Sequence, residues 1–222
     1  MNNHSFTLAG AELSARASGA LWWPKHRLLV VSDLHLGKSE RIARLGGTML
    51  PPYETRDTLA RVDDEIAKTD PDTVICLGDS FDDIAAVTGL QHDIQTWLTR
   101  LMAGRRWIWI EGNHDPGPVD LGGSHMAELS LSPLTFRHIA IAGTAGEVSG
   151  HYHPKATIRS RGRSLTRPCF LYDIDRLILP AFGTYTGGLR SNSPVLATLM
   201  QPHARAVLTG PATCVIPMPI TA

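Results

Sequence analysis

Four short stretches of this 222-residue chain bring together carboxylates, an amide and imidazoles in ways that suit metal chemistry. The first is Ser32-Asp33-Leu34-His35, which follows the branched apolar run Leu28-Leu29-Val30-Val31. On an extended strand tip, residues two apart project to the same side, so Asp33 and His35 are expected to aim together past the strand's end. Gly78-Asp79-Ser80-Phe81-Asp82, Gly112-Asn113-His114-Asp115 and Gly150-His151-Tyr152-His153-Pro154 repeat that grammar. Any one of these would be ordinary, since a lone Asp usually caps a helix and a lone His is usually a satisfied structural residue. Four of them at successive strand ends point to one site, because ligands of open α/β sheets bind outside the carboxyl ends of the strands.

The elements that must position them can be read from periodicity. Short strands are expected over 5–9, 21–23 and 27–31, then a polar segment over 37–50 carrying Lys38, Arg41 and Arg44. Pro51-Pro52 punctuates the chain before an amphipathic helix over 53–69, on which Leu59, Val62 and Ile66 recur at helical spacing. Further strands at 73–77 and 106–110, separated by a helix over 90–102, give an alternation that argues for βαβ units and a mainly parallel sheet. The second half reads as strands: 128–131, 134–141, 147–150, 156–160, 164–172, 176–179, 206–209 and 214–216. An α/β half leading into a β-rich half implies two packed sheets with helices outside, and residues 1–222 read as a single domain.

Composition narrows the class. With 43% hydrophobic and 19% charged residues the chain is of ordinary globular type, and 21 Lys plus Arg balance 21 Asp plus Glu, so there is no global basic field. Cys76, Cys169 and Cys214 are too few and scattered for a disulfide framework or a zinc knuckle, and each reads as a small buried apolar side chain. No basic segment followed by an apolar run opens the chain and no apolar run is long enough to span a bilayer, so a cytoplasmic location without membrane contact is expected.

The four motifs, in this order and at this spacing, resemble the signature of the calcineurin-like metallophosphoesterases. The resemblance implies a four-layered α/β/β/α sandwich with a dinuclear metal centre. It assigns Asp33, His35 and His153 to one metal, Asn113 and His151 to the other, and Asp79 as the bridge. One more histidine is required for the second metal. His138, after Leu134-Thr135-Phe136-Arg137, is favoured over His125, which follows Gly122-Gly123-Ser124. Two cations ~3.5–4 Å apart can share a hydroxide nucleophile and clamp phosphoryl oxygens during in-line attack. The oxygen/nitrogen donor set suits Mn²⁺, Fe²⁺ or Zn²⁺ and lacks thiolate; the resemblance puts Mn²⁺ first. His114 is expected to stabilise developing charge or protonate the leaving oxygen. Asp115 or a backbone carbonyl is a candidate for fixing its tautomer.

A narrower resemblance, to the DNA ligase-associated metallophosphoesterases, is carried by Asp33-Leu34-His35-Leu36-Gly37-Lys38, Phe136-Arg137-His138, Arg167-Pro168-Cys169-Phe170 and Pro180-Ala181-Phe182-Gly183. It implies a Mn²⁺-dependent phosphodiesterase or endonuclease acting on single-stranded or damaged DNA, associated in bacterial repair with a ligase, a helicase and an exonuclease. The residues add one sign of their own: no acidic residue lies between Val148 and Tyr172, whereas Lys155, Arg159, Arg161, Arg163 and Arg167 do. Arg161-Gly162-Arg163 reads as a hairpin tip able to contact phosphates. Gly37-Lys38-Ser39 is not a P-loop, because Ser32 stands where its first glycine is required, but Lys38 remains a candidate phosphate contact. A phosphatase or phosphodiesterase for a small nucleotide or lipid-linked sugar diphosphate is the alternative, and a non-catalytic scaffold a third reading. Oligomeric state is left open.

Overall fold

The computed structural model describes residues 3–47, 50–118, 120–160 and 162–218. Its elements in chain order begin with β1 (His4–Leu8), β2 (Ala11–Ala15), β3 (Leu21–Trp23) and β4 (Leu28–Val31). Helices α1 (Lys38–Arg44) and α2 (Glu54–Thr69), then β5 (Thr73–Leu77), α3 (Ile84–Thr88), α4 (His92–Met102), β6 (Arg106–Ile110) and β7 (Ser124–Met126) complete the first half. There follow β8 (Glu128–Leu131), β9 (Leu134–Arg137), β10 (Glu147–Ser149), β11 (Lys155–Ser160), β12 (Arg163–Tyr172) and β13 (Arg176–Ile178). The chain closes with α5 (Pro194–Leu199), β14 (Arg205–Leu208) and β15 (Cys214–Pro217).

Strands β1 to β7 form one mixed sheet in chain order, antiparallel from β1 to β4 and parallel from β4 to β7. The second sheet runs β15-β14-β12-β13-β10-β9-β8, with β9, β10 and β13 parallel and β11 paired to the outer half of β12. Side-chain alternation explains how they stack. Leu29 and Val31, Val74 and Cys76, Trp107 and Trp109 face α2 and α4, where Leu59, Val62, Ile66, Ile94, Leu98 and Leu101 cover them. Their alternates, Leu28, Val30, Ile75, Leu77, Ile108 and Ile110, meet Leu134, Phe136, Val148, Phe170, Leu177 and Val207 of the second sheet. The far face of that sheet packs Cys169, Leu171, Ile178, Ala206 and Leu208 against Leu196 and Met200 around α5. The layers are therefore helix, sheet, sheet, helix, as the motifs imply.

Several details differ from the sequence reading. The polar segment after His35 contains α1, tied down where Glu54 accepts from Ser39 N at 3.1 Å and Ser39 Oγ at 2.6 Å. The sequence reading lacks strand β2, although Ala11, Leu13 and Ala15 alternate inward along it, and the short helices α3 and α5; Asp83 caps α3 and Ser193 caps α5, which opens on Pro194. His125 lies on β7 rather than in a loop. The strand expected over 134–141 ends at Arg137, one residue short of His138. Cys76 and Cys169 are buried, whereas Cys214 is exposed at the start of the edge strand β15. Among the described residues, no helix is long and apolar enough to cross a membrane.

Candidate metal centre

Strands β4, β5 and β6 run parallel and end at one edge of the first sheet, and β9 and β10 deliver their last residues to the same place. Beyond β4 the chain leaves extended conformation: Asp33 has φ +53° and His35 +47°. The two side chains do converge, but through this coiled backbone rather than by strand alternation. Their loop stays bonded to the one after β5, with Asp33 N donating to Gly78 O (3.2 Å), His35 N to Asp79 O (2.9 Å) and Leu36 N to Ser80 O (3.0 Å). Asp79, His151 and His153 are also left-handed, at φ +46°, +69° and +45°. Such backbone costs on the order of 1–3 kcal/mol per residue and persists where surrounding contacts over-determine it. Close approach explains the motif glycines: a Cβ at Gly78 would lie 2.2 Å from His138 Nδ1, and one at Gly150 would lie 2.0 Å from Ser32 Oγ and 2.6 Å from Asp33 Oδ2.

Among the described residues, three groups of donors result, two of which share no residue. In the first, Asp33, His35 and His153 bring one ligand atom each within 4.8 Å of the others, with His153 Nε2 3.0 Å from Asp33 Oδ1. In the second, Asp79, His138 and His151 do the same. Asn113 joins it, with Oδ1 3.0 Å from His138 Nε2, while Asp79 Oδ2 lies 3.3 Å and His151 Nδ1 3.3 Å from that same nitrogen. The third group, His35, Asp79 and His114, overlaps the second and the first, with Asp79 Oδ2 4.0 Å from His35 Nε2, so Asp79 lies between those two. His125 stacks on Trp109, ring centroids 6.3 Å apart, and belongs to none of these groups.

These residues fit divalent cations. His35 Nε2 and His153 Nε2 are buried with no hydrogen-bond partner, although each faces a carboxylate. His138 Nε2 and His151 Nδ1 converge on one another and on the Asn113 and Asp79 oxygens, a donor set that a cation among them would satisfy. The outer atoms are committed elsewhere: His138 Nδ1–H donates to Leu77 O at 3.1 Å, which leaves Nε2 free as a ligand, and Ser32 Oγ donates to Asp33 Oδ2 at 2.5 Å. Protonation follows the same fields. Burial alone would raise the Asp79 carboxyl, yet His138 and His114 hold it down to about 2. Burial opposes charge on His138 too, but the Asp79 and Asp33 carboxylates raise its pKa, while burial and the neighbouring His138 lower that of His151.

Around the donors stand residues whose roles the sequence left unread. Asp82 is fully buried, with Oδ1 2.9 Å from His35 Nδ1 and 3.3 Å from Lys38 Nζ, and Oδ2 3.1 Å from Arg41 Nη1. Burial works against its ionisation, but these three cationic or potentially cationic partners hold its carboxyl well below the usual carboxylate range. Its backbone carbonyl accepts from His114 Nδ1 at 2.8 Å, so a carbonyl rather than Asp115 fixes the His114 tautomer. Asp115 instead accepts from Ser80 N, Phe81 N and Gly112 N at 2.7, 3.1 and 3.1 Å, knitting two loops together. Burial, with the Asp79 charge, pushes it up to about 6 despite those donors. The only sequence signal for Asp82 was its place within the second motif. Lys38 is thus engaged behind His35, Arg163 is exposed at the start of β12, and Arg161 lies outside the described residues.

Residues 26–177 match the family model described as Calcineurin-like phosphoesterase. Among solved structures, the nuclease MPE of Pseudomonas putida is 30% identical, with a TM-score of 0.75, over 97% of this chain and 100% of that one. A Streptococcus pneumoniae TIGR4 protein, described as a conserved uncharacterized predicted phosphoesterase, is 14% identical over 86% and 96% of the two chains, with a TM-score of 0.31, too low to bear on the argument. Among curated proteins, none matches.

Proposed function

This chain belongs to the calcineurin-like phosphoesterase family, and from that premise we propose that it is a two-metal phosphodiesterase acting on DNA. Asp33, His35 and His153 are assigned to one cation, Asn113, His138 and His151 to the other, and Asp79 to both. The observation that carries the reading is the position of Asp79 between two donor groups, one of which leaves the buried His35 Nε2 and His153 Nε2 without hydrogen-bond partners. When bound, two divalent cations, Mn²⁺ foremost with Fe²⁺ or Zn²⁺ as alternatives, supply Lewis-acid charge to the phosphoryl oxygens and lower the pKa of water. His114 does the protein's part at the leaving group. With Nδ1–H held by the Asp82 carbonyl, its Nε2 is the atom that gives a proton to the leaving oxygen, and in the charged form it stabilises the crowded phosphorus.

Two observations favour DNA over a small ester. The similar Pseudomonas putida protein is a nuclease. Formal charge is also polarised along the chain: beyond Glu147 stand Lys155, Arg159, Arg161, Arg163, Arg167, Arg176, Arg190 and Arg205 against only Asp173 and Asp175. The arm made by β11 and the outer half of β12 leaves the site directly after His153-Pro154, with Arg159 and Arg163 exposed. Cations there can follow the phosphates of a strand; Arg163 and, from the sequence reading, Arg161 are the substrate contacts we assign, and Lys38, read from the sequence as a third, would have to leave its pairing with Asp82 to join them. A role in bacterial DNA repair beside a ligase, a helicase and an exonuclease, a cytoplasmic location and a single domain over 1–222 rest on the sequence resemblance and belong to the same proposal.

The test offers metal-loaded protein an aryl phosphodiester, an aryl phosphomonoester and circular single-stranded DNA. Nicking of the circle, lost in His114→Ala and Asp79→Ala, is the expected result. Turnover of small esters with the DNA left intact would reject the DNA reading and favour a small nucleotide or lipid-linked substrate.

A further inference from the structure

One loop borders the first donor group and has so far had no part in the chemistry. Residues 183–188 begin at Asp33, where Gly183 N donates to the Asp33 carbonyl at 3.0 Å. They end at His153, whose carbonyl oxygen would lie 2.0 Å from a Cβ on Gly188. Between these anchors stands Tyr185, a non-glycine residue in left-handed backbone at φ +62°. Contacts on both sides fix it there: Thr184 N donates to Thr58 Oγ1 (3.1 Å), Thr184 Oγ1 to Asp57 Oδ2 (2.6 Å) and Lys155 Nζ to the Thr186 carbonyl (3.0 Å). Backbone of this kind is kept when the surroundings insist on it, and it commonly serves to aim a side chain.

Here it sets the Tyr185 ring beside Tyr53, with centroids 5.8 Å apart and planes inclined by 55°. Tyr53 is 53% exposed and immediately precedes α2, whose first turn packs on the segment following His35, where Gly37 N donates to Thr55 Oγ1 (3.0 Å) and Ser39 N to Glu54 Oε1. Tyr53 therefore lies at the surface, and the half-buried Tyr185, whose hydroxyl is buried without a hydrogen-bond partner, backs it. At its other end the same loop joins the base of the basic arm, with Lys155 N donating to Leu189 O and Ser191 N to Lys155 O, both at 2.8 Å. The loop thus joins the aromatic pair to the base of the arm, touching the backbones of Asp33 and His153 on the way.

We propose that Tyr53 and Tyr185, already in contact as a tilted pair, form an aromatic bracket on whose exposed Tyr53 ring a nucleobase of the strand being cleaved stacks, while the arm takes its phosphates. The nature of that strand rests on the phosphodiesterase reading above. Stacking is tolerant of sequence because every base has a π-face, so the bracket favours base-bearing over base-free strands and not one base over another.

Fluorescence anisotropy decides it, using metal-loaded full-length His114→Ala protein and two labelled oligonucleotides of equal length, one of thymidine and one of abasic tetrahydrofuran units. Thymidine is expected to bind on the order of tenfold more tightly than the abasic strand. Tyr53→Leu should erase most of that ratio, and Tyr53→Phe, which keeps a ring, should retain it; Tyr185→Leu and Tyr185→Phe should behave as the second pair. An unchanged ratio in both leucine variants, equal binding of the two strands by the parent, or binding of neither would overturn the bracket. Cleavage without base preference would sink the bracket alone, and base-dependent binding without cleavage of any diester would sink the phosphodiesterase reading alone.

Discussion

Asp33, His35, Asp79, His151 and His153 all combine a metal-ligand side chain with left-handed backbone. Asp and His tolerate that region better than most residues, so the types required by chemistry are also types the geometry accepts. The residue identities were legible in the sequence because each followed a buried strand. Their backbone was not, because it depends on hydrogen bonds to partners more than forty residues away, such as Gly78 and Asp79 for the Asp33 loop. Asp82 was opaque for the same reason. Inside the chain it is one more acid after Asp79; in the fold it is fully buried and faces His35 Nδ1. A carboxylate behind a ligating imidazole orients the ring and raises its basicity, and losing it typically costs ~10–100-fold in metal affinity. Asp82→Asn should accordingly weaken one of the two Mn²⁺ affinities by about that factor in a calorimetric titration. Unchanged affinities with an intact fold would show that Asp82 does not position His35.

Among the elements, β9 and β10 matter most, because each ends on a donor of the second group: His138 follows β9, and Gly150-His151 follows β10. Their pairing is parallel and short, so side-chain packing rather than length must hold them. Phe136, two residues before His138, is completely buried between the sheets. Phe136→Ala is expected to lower unfolding stability by ~3–5 kcal/mol in denaturant titrations. A loss below ~1 kcal/mol would mean that the inter-sheet core does not anchor β9. The long periodic elements, α2, α4, β5 and β6, were readable from pattern alone. The polar α1 was not, since its buried anchor is Glu54 bonding Ser39 across the Pro51-Pro52 break, which no local periodicity records.

At the scale of the whole molecule, neutral net charge concealed a division between an acid-rich first part and a base-rich second part. The order of motifs revealed which loops meet, but that the Tyr185 loop touches the backbones of Asp33 and His153 and joins the base of the arm emerges only when the sheets are stacked. Each phosphate contact on a single strand contributes roughly −0.7 to the slope of log affinity against log salt. Replacing Arg159 and Arg163 together by Ala should therefore flatten that slope for single-stranded DNA by roughly 1.4; an unaltered slope would exclude the arm as the phosphate track. The central claim, that two cations share Asp79, is tested most directly by electron paramagnetic resonance of the Mn²⁺-saturated protein. The account predicts two Mn²⁺ per chain with an exchange-coupled spectrum that Asp79→Asn uncouples. A single isolated Mn²⁺ signal at saturation, or coupling that survives Asp79→Asn, would contradict it.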